Sequence, residues 1–141
     1  MKMEIRSFKL QDEEAVVQLW IDCGLVVPWN NPRKDIRRKL KVRPDLFLVA
    51  HESNRIIATV MAGYEGHRGW INYLAVHPDY QGSGVGRRMM DEAEIRLRAE
   101  GCPKINLQVR RTNDGVIAFY KRIGYKVDDA VSLGKRLEPD K

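Results

Sequence analysis

Between Tyr73 and Arg88 the chain reads Y-L-A-V-H-P-D-Y-Q-G-S-G-V-G-R-R. An apolar run ends at Val76, His77 and Pro78 break it, and Gly82, Gly84 and Gly86 stand at alternate positions ahead of a segment with helical periodicity. This predicts a strand, a glycine-rich turn and a helix start. Glycines spaced this way let the backbone take positive φ and turn successive N–H groups in one direction, with no Cβ to hold an anion off. The positive end of the following helix dipole adds to the attraction. The pattern is that of a phosphate cradle.

Spacing narrows the kind of cradle. A dinucleotide fingerprint wants a small residue three positions after its second glycine, but Met89 or Arg87 stands there, depending on the pair counted. A Walker loop wants a glycine five positions after the first, but Gly82 leads to Arg87. What remains is Gln81-x-x-Gly84-x-Gly86, which an ordinary glycine-rich turn could also carry. The rest of the chain has to decide.

The 141 residues fit one domain, spanning 1–141, and a hydrophobic content of 43% with 31% charged residues suits a globular fold with a real core. The start, M-K-M-E-I-R-S-F-K, lacks an apolar run of signal-peptide length, and no later window approaches a membrane span, so a cytoplasmic location without membrane partners is the expectation. Cys23 and Cys102 form neither a C-x-x-C pair nor a ligand cluster with the three histidines, which predicts free thiols and no metal. The net charge of +6 favours an anionic partner. Nucleic acid is one such partner, but basic and acidic residues alternate from Arg87 to Glu100 and form no block of like charge, which argues against it.

Taken in order, Met3 to Phe8 alternates as a first strand. Gln11 to Cys23 is an amphipathic helix through Ala15, Val16, Leu19 and Trp20, stopped by Gly24. Pro28 and Pro32 bracket a loop, and Arg33 to Val42 is a short basic helix. Leu46 to Ala50 and Arg55 to Tyr64 form a hairpin about Ser53-Asn54, and Trp70 to Val76 leads into the glycine loop. The next helix carries Gly86, Met89, Met90, Ala93 and Leu97 on one arc and ends at Gly101 and Pro103. Ile105 to Val109 is a strand, Asp114 to Ile123 a helix, and Tyr125 to Val127 with Ala130 to Leu137 a closing antiparallel pair.

This order of elements, together with Gln81-x-x-Gly84-x-Gly86, resembles the GNAT superfamily of N-acetyltransferases. A second local likeness, L-Q-V-R-R-T-N-D-G-V-I-A-F-Y-K-R-I-G-Y from Leu107 to Tyr125, is similar to the family segment in which a strand, an Asn and a Tyr-bearing helix are followed by Gly and an aromatic. The resemblance implies an α+β fold of three layers (α/β/α), with a mixed, mostly antiparallel sheet of about seven strands flanked by about four helices. It also implies acetyl-CoA as cosubstrate, transfer of its acetyl group to an amine of a small molecule or peptide, and a possible homodimer, for which exposed apolar residues of the last strands could pair. By the same resemblance, the loop residues Gln81, Gly82, Ser83, Gly84, Val85, Gly86 and Arg87 bind the pyrophosphate through backbone amides. Leu74, Ala75 and Val76, beside a strand bulge, hold the pantetheine and the thioester carbonyl, Asn113 is a further cofactor contact, and Tyr120 protonates the leaving thiolate and lies against the cofactor.

The chemistry also needs the acceptor in its neutral form, because an alkylamine near pKa 10 is mostly protonated at neutral pH. In the resembled family, acetyltransferases of protein N-termini that share the Leu-x-Val-Arg strand have Glu at the variable position, and here it is Gln108, which cannot take a proton. Glu65 and His67, between adjacent strands, are the candidate bases, although a solvated hairpin end is the ordinary reading of both. A CoA-binding sensor with little catalysis is the alternative function that Gln108 suggests. Trp29, Asn30 and Trp70 are candidates for the acceptor pocket by analogy. His51 and His77 read as structural.

Overall fold

A computed structural model describes residues 2–140. The elements are β1 (Glu4–Ser7), α1 (Glu13–Asp22), α2 (Pro32–Lys39), β2 (Phe47–Glu52), β3 (Arg55–Tyr64), β4 (Gly69–Val76), α3 (Val85–Ala99), β5 (Ile105–Leu107) and α4 (Asp114–Arg122). They build one sheet in the order β1-β2-β3-β4-β5, antiparallel except for the parallel pair β4/β5. Helices α3 and α4 cover one face, where Val85, Met89, Met90, Ala93 and Leu97 meet Leu48, Ile57, Val60 and Ile71. Helices α1 and α2 cover the other, where Trp20, Val16 and Ile36 meet Phe47, Val49 and Ala75. Period-2 alternation in the strands supplies both faces at once, which is why β2 and β3 read as nearly continuous apolar runs.

Two features position the site. Met61 pairs with Asn72 but Thr59 with Ala75, so β4 carries one extra residue, a bulge in which Tyr73 takes φ of 51°. In addition, β5 pairs with β4 only at Gly69, Trp70 and Ile71. Beyond Ile71 the two parallel strands part, and β4 continues without a neighbour on that side.

The expected sheet of about seven strands is corrected to five. Tyr125 to Val127 and Ala130 to Leu137 form no strands, and Val127, Val131, Leu133 and Leu137 are 79–90% exposed. The physical reason lies in β5, which at three residues offers a short ladder, and an isolated two-stranded ribbon is marginal in water. The tail makes side-chain contacts instead: Lys104 and Asn106 donate to Asp128, and Asp140 is buried against Arg38 at 2.6 and 2.8 Å.

Candidate active site

The β4 edge is set by strand geometry. His77 N–H donates to Ile57 O at 2.8 Å, so residue 77 faces β3. Backbone groups alternate along a strand, so those of Val76 and Leu74 face away from β3, toward the gap left by β5, while those of Ala75 face β3. An extended ligand laid in that gap could add to the sheet as a further strand would. Part of Val76 is already in use, since its carbonyl accepts from Gln81 Nε2 at 2.9 Å and from Cys23 Sγ at 3.2 Å. The free groups on this edge are those of Leu74 and the Val76 N–H.

The chain then enters the glycine loop. Gln81 pins it to the strand end, Gly82 and Gly84 take φ of 81° and 85°, and Ser83 Oγ donates to Tyr80 O. Gly84 is the N-cap of α3 and has no side chain to cap with. The first intrahelical bond is from Arg88 N–H to Gly84 O, so the amides of Val85, Gly86 and Arg87 have no acceptor among the described residues. A Cβ at Gly84 would project into open space. Three orphan amides at a helix start, an open approach and the exposed Arg87 and Arg88 together fit a pyrophosphate. Gly86 differs from its neighbours. Its φ is not positive, and a Cβ there would lie 3.2 Å from Phe119 Cζ, so this glycine lets α3 and α4 approach each other.

That approach brings α4 to the gap. Asn113 caps α4 by accepting from Val116 N–H at 3.3 Å, which leaves its Nδ2 for a ligand. One side of α4 carries Tyr120, 8% exposed and edge-on to Phe119 and Tyr125. Its hydroxyl has no hydrogen-bond partner among the described residues, yet it is not sealed from solvent. Burial pushes this phenol up to about 12. A tyrosine held by packing, with its O–H free, can donate to a ligand. Tyr125, by contrast, is committed to Glu94 at 2.8 Å.

The structure does not bring Glu65 or His67 to this gap. Both lie in the β3–β4 turn, and Leu74 is five residues further along β4 from Gly69, roughly 17 Å of strand. Glu65 is spent on its own turn, where it accepts from the backbone N–H groups of Arg68 and of His67, and these bonds hold its carboxyl below the usual range. Gln108 Nε2 donates to Ser132 Oγ. His51 and His77 each bond to backbone of their own turn. Trp29 is exposed with the Arg110 guanidinium 5.0 Å over its ring, and Trp70 is exposed on β4.

On the α1/α2 side the structure assembles a group that the sequence did not point to. Asn30 Nδ2 donates to Tyr73 Oη at 2.8 Å, and Tyr73 Oη donates to Asp35 Oδ2 at 2.5 Å. Tyr73 stacks on Trp20 at 3.8 Å between centroids, and its carbonyl accepts from Thr59 Oγ1, which itself accepts from Trp20 Nε1. The only local signal was a Tyr before Leu-x-Val. Its partners stand 43 and 38 residues away.

The family model for "Acetyltransferase (GNAT) family" matches residues 13–125. The chain belongs to this family. It is 50% identical over 139 residues to the acetyltransferase ECA0875 of Pectobacterium atrosepticum, covering 99% of each chain. Among solved structures, it superimposes on Ard1 of Thermoplasma volcanium with a TM-score of 0.79 at 24% identity, covering 91% of this chain and 85% of that one. It also superimposes on the PaiA N-acetyltransferase of Thermoplasma acidophilum in complex with coenzyme A, with a TM-score of 0.74 at 22% identity, covering 93% and 94%. These structures share the fold. This GNAT protein is an acetyl-CoA-dependent N-acetyltransferase, with acetyl-CoA as its cosubstrate. Among the described residues no helix is long and apolar enough to cross a membrane.

Proposed function

We propose that acetyl transfer takes place in the gap between β4 and β5, with residues of this chain in four roles. The amides of Val85, Gly86 and Arg87, reached through the turn from Gln81 to Gly84, hold the pyrophosphate. The backbone groups of Leu74 and the Val76 N–H hold the pantetheine arm, and an N–H on this edge stabilises negative charge developing on the thioester oxygen. Asn113 supplies a further polar contact. Tyr120 donates its proton to the departing thiolate: burial keeps the phenol protonated at neutral pH, and its hydrogen bond to sulfur strengthens as negative charge develops there. The cosubstrate brings an acetyl group already activated as a thioester.

The observation that supports this reading is that the open β4 edge at Leu74 and Val76, the α3 start with its three orphan amides, and Tyr120, whose hydroxyl has no partner among the described residues, all pack on the same side of the sheet. P-W-N-N-P, G-Y-E-G-H-R-G and C-P-K-I, with the ending S-L-G-K-R-L, support a narrower likeness to the small bacterial acetyltransferase YpeA. The acceptor in this reading is an amine of a small molecule or peptide that reaches the gap from the α1–α2 side, past Trp29 and Asn30. Exposed Val131 and Leu133 support self-association as a homodimer.

Calorimetry with acetyl-CoA, followed by a thiol-release assay over alkylamines, aminosugars, peptides with free N-termini and arylamines, tests the proposal. Tight binding and turnover with at least one class is the expected result. Tight binding with no turnover on any class would turn the reading to a CoA sensor.

A further inference from the structure

Acetyl transfer to an alkylamine needs a proton acceptor, and the residues considered from the sequence do not supply one at the gap. The bulge in β4 sets a phenol–carboxylate pair, Tyr73 with Asp35, at the residue next to Leu74. It puts Asn72 and Tyr73 consecutively on the α1/α2 side of the sheet, because Ile71 and Leu74 both pack on the α3/α4 side while Tyr73 and Ala75 pack on the other. Tyr73 is therefore the residue next to Leu74, on the face opposite Tyr120. Its backbone is in the left-handed region, costly for a non-glycine residue, and it is held there by Thr59 Oγ1 on its carbonyl and Trp20 on its ring. Its phenol has a defined polarity: it accepts from Asn30 Nδ2, whose other end is fixed by the Val27 N–H at 3.1 Å, and it donates to Asp35 Oδ2.

Asp35 is held as firmly. Asn31 caps α2 by accepting from Lys34 N–H, Pro32 opens the helix, and the next residue, Ile36, is fully buried. The charged groups around the pair are Arg38, whose guanidinium lies 3.3 Å from Asp35 Oδ1, and Asp140 of the tail, which takes up that same guanidinium at 2.6 and 2.8 Å. The groups facing Tyr73 from α1 and β3, Trp20 and Thr59, are neutral. Asp35 keeps 26% of its side chain exposed, enough to exchange a proton with solvent.

We propose that Tyr73 and Asp35 form the proton route for the acceptor amine. This rests on the reading that the β4–β5 gap holds the thioester. The nitrogen lone pair forms the C–N bond and the C–S bond breaks with its electrons on sulfur. That lone pair becomes available when the bound ammonium gives one proton to Tyr73 Oη as the phenolic proton passes to Asp35 Oδ2, which releases it to water; the second proton leaves nitrogen to solvent after the C–N bond has formed. Tyr120 protonates the sulfur from the opposite face and is itself reprotonated by solvent. In this route Tyr73 receives the proton from the amine, and Asp35 acts through it.

The test uses the full chain and the fastest alkylamine of the acceptor panel, with Tyr73→Phe, Asp35→Asn and the double variant followed from pH 6 to 10. Each single variant is expected to lose about 10²-fold in kcat/KM at pH 7. The double should fall no further than the worse single, because the two act as one unit. The loss should shrink as pH approaches the pKa of the amine, where the acceptor arrives neutral, and the calorimetric Kd for acetyl-CoA should stay within about twofold of wild type. Variants that keep the wild-type profile, or lose the same factor at every pH, would overturn the relay. Should Asp35→Asn fail to fold, Tyr73→Phe decides alone, since it keeps the ring on Trp20. A wild type that binds acetyl-CoA but acetylates no amine would overturn the acceptor reading and the relay with it, and that outcome is distinct from turnover unaffected by the variants.

Discussion

Gly86 on α3 and Phe119 on α4 meet where a single added carbon would not fit without movement: a Cβ on Gly86 would sit 3.2 Å from Phe119 Cζ. Gly86 thus sets how closely the Tyr120 helix approaches the N-terminal end of α3. Gly84, two residues earlier, has open space around it and a φ of 85°. One loop holds two glycines needed for different reasons.

Substitutions at the two positions should therefore separate. Gly84→Val puts a β-branched residue at positive φ, where it is strained, and a side chain in the anion's path, so acetyl-CoA affinity should fall about tenfold or more. Gly86→Val must push Phe119 away, so it should lower kcat and thermal stability along with affinity. Calorimetry, kcat and a melting curve on each variant make the comparison. Unchanged affinity in folded Gly84→Val would remove the pyrophosphate from this loop.

Tyr120→Phe keeps the ring between Phe119 and Tyr125 and removes only the free hydroxyl. It should cut kcat about 10²-fold with acetyl-CoA affinity nearly unchanged. Retention of wild-type kcat with chemistry rate-limiting would leave protonation of the thiolate to water. The same residue predicts a stability slope. Burial raises its folded pKa from near 10 to about 12, so the folded state keeps a proton that the unfolded chain gives up. That stability is fully present below pH 10 and is lost as pH rises through 12, by about 3 kcal/mol. Half-buried Tyr73 and Tyr125 are shifted the same way and steepen the loss. Urea unfolding between pH 9 and 11.5 should show a shallower decline for Tyr120→Phe than for wild type.

Glu65→Gln and His67→Ala should leave the pH profile of kcat/KM within about twofold of wild type, because the β3–β4 turn stands away from the gap and the Glu65 carboxylate is bound to its own turn. Steady-state kinetics from pH 6 to 9 on both variants and the double check this. A tenfold loss confined to the acidic limb would return the base to that turn.

The sequence alone determined what depends on local pattern. A run of apolar and β-branched residues between turn signals marked β3 at Arg55–Tyr64, the glycines and the 3.6-residue period marked the start of α3, and Gly124 stopped α4, because each signal lies within a few residues of its effect. The glycine turn before α3 was legible for the same reason, because glycine spacing reports backbone conformation directly, and Gly82 and Gly84 do take positive φ. Tertiary structure decided the rest. Whether Val131 and Leu133 join the sheet depends on the length of β5, not on their own alternation. That Asn30, Asp35 and Tyr73 converge depends on a one-residue bulge and on the packing of α2 by Ile36. Contacts spanning about forty residues leave no period in a sequence, because the chain between them sets only how far apart the partners can be and the packed core sets where they meet.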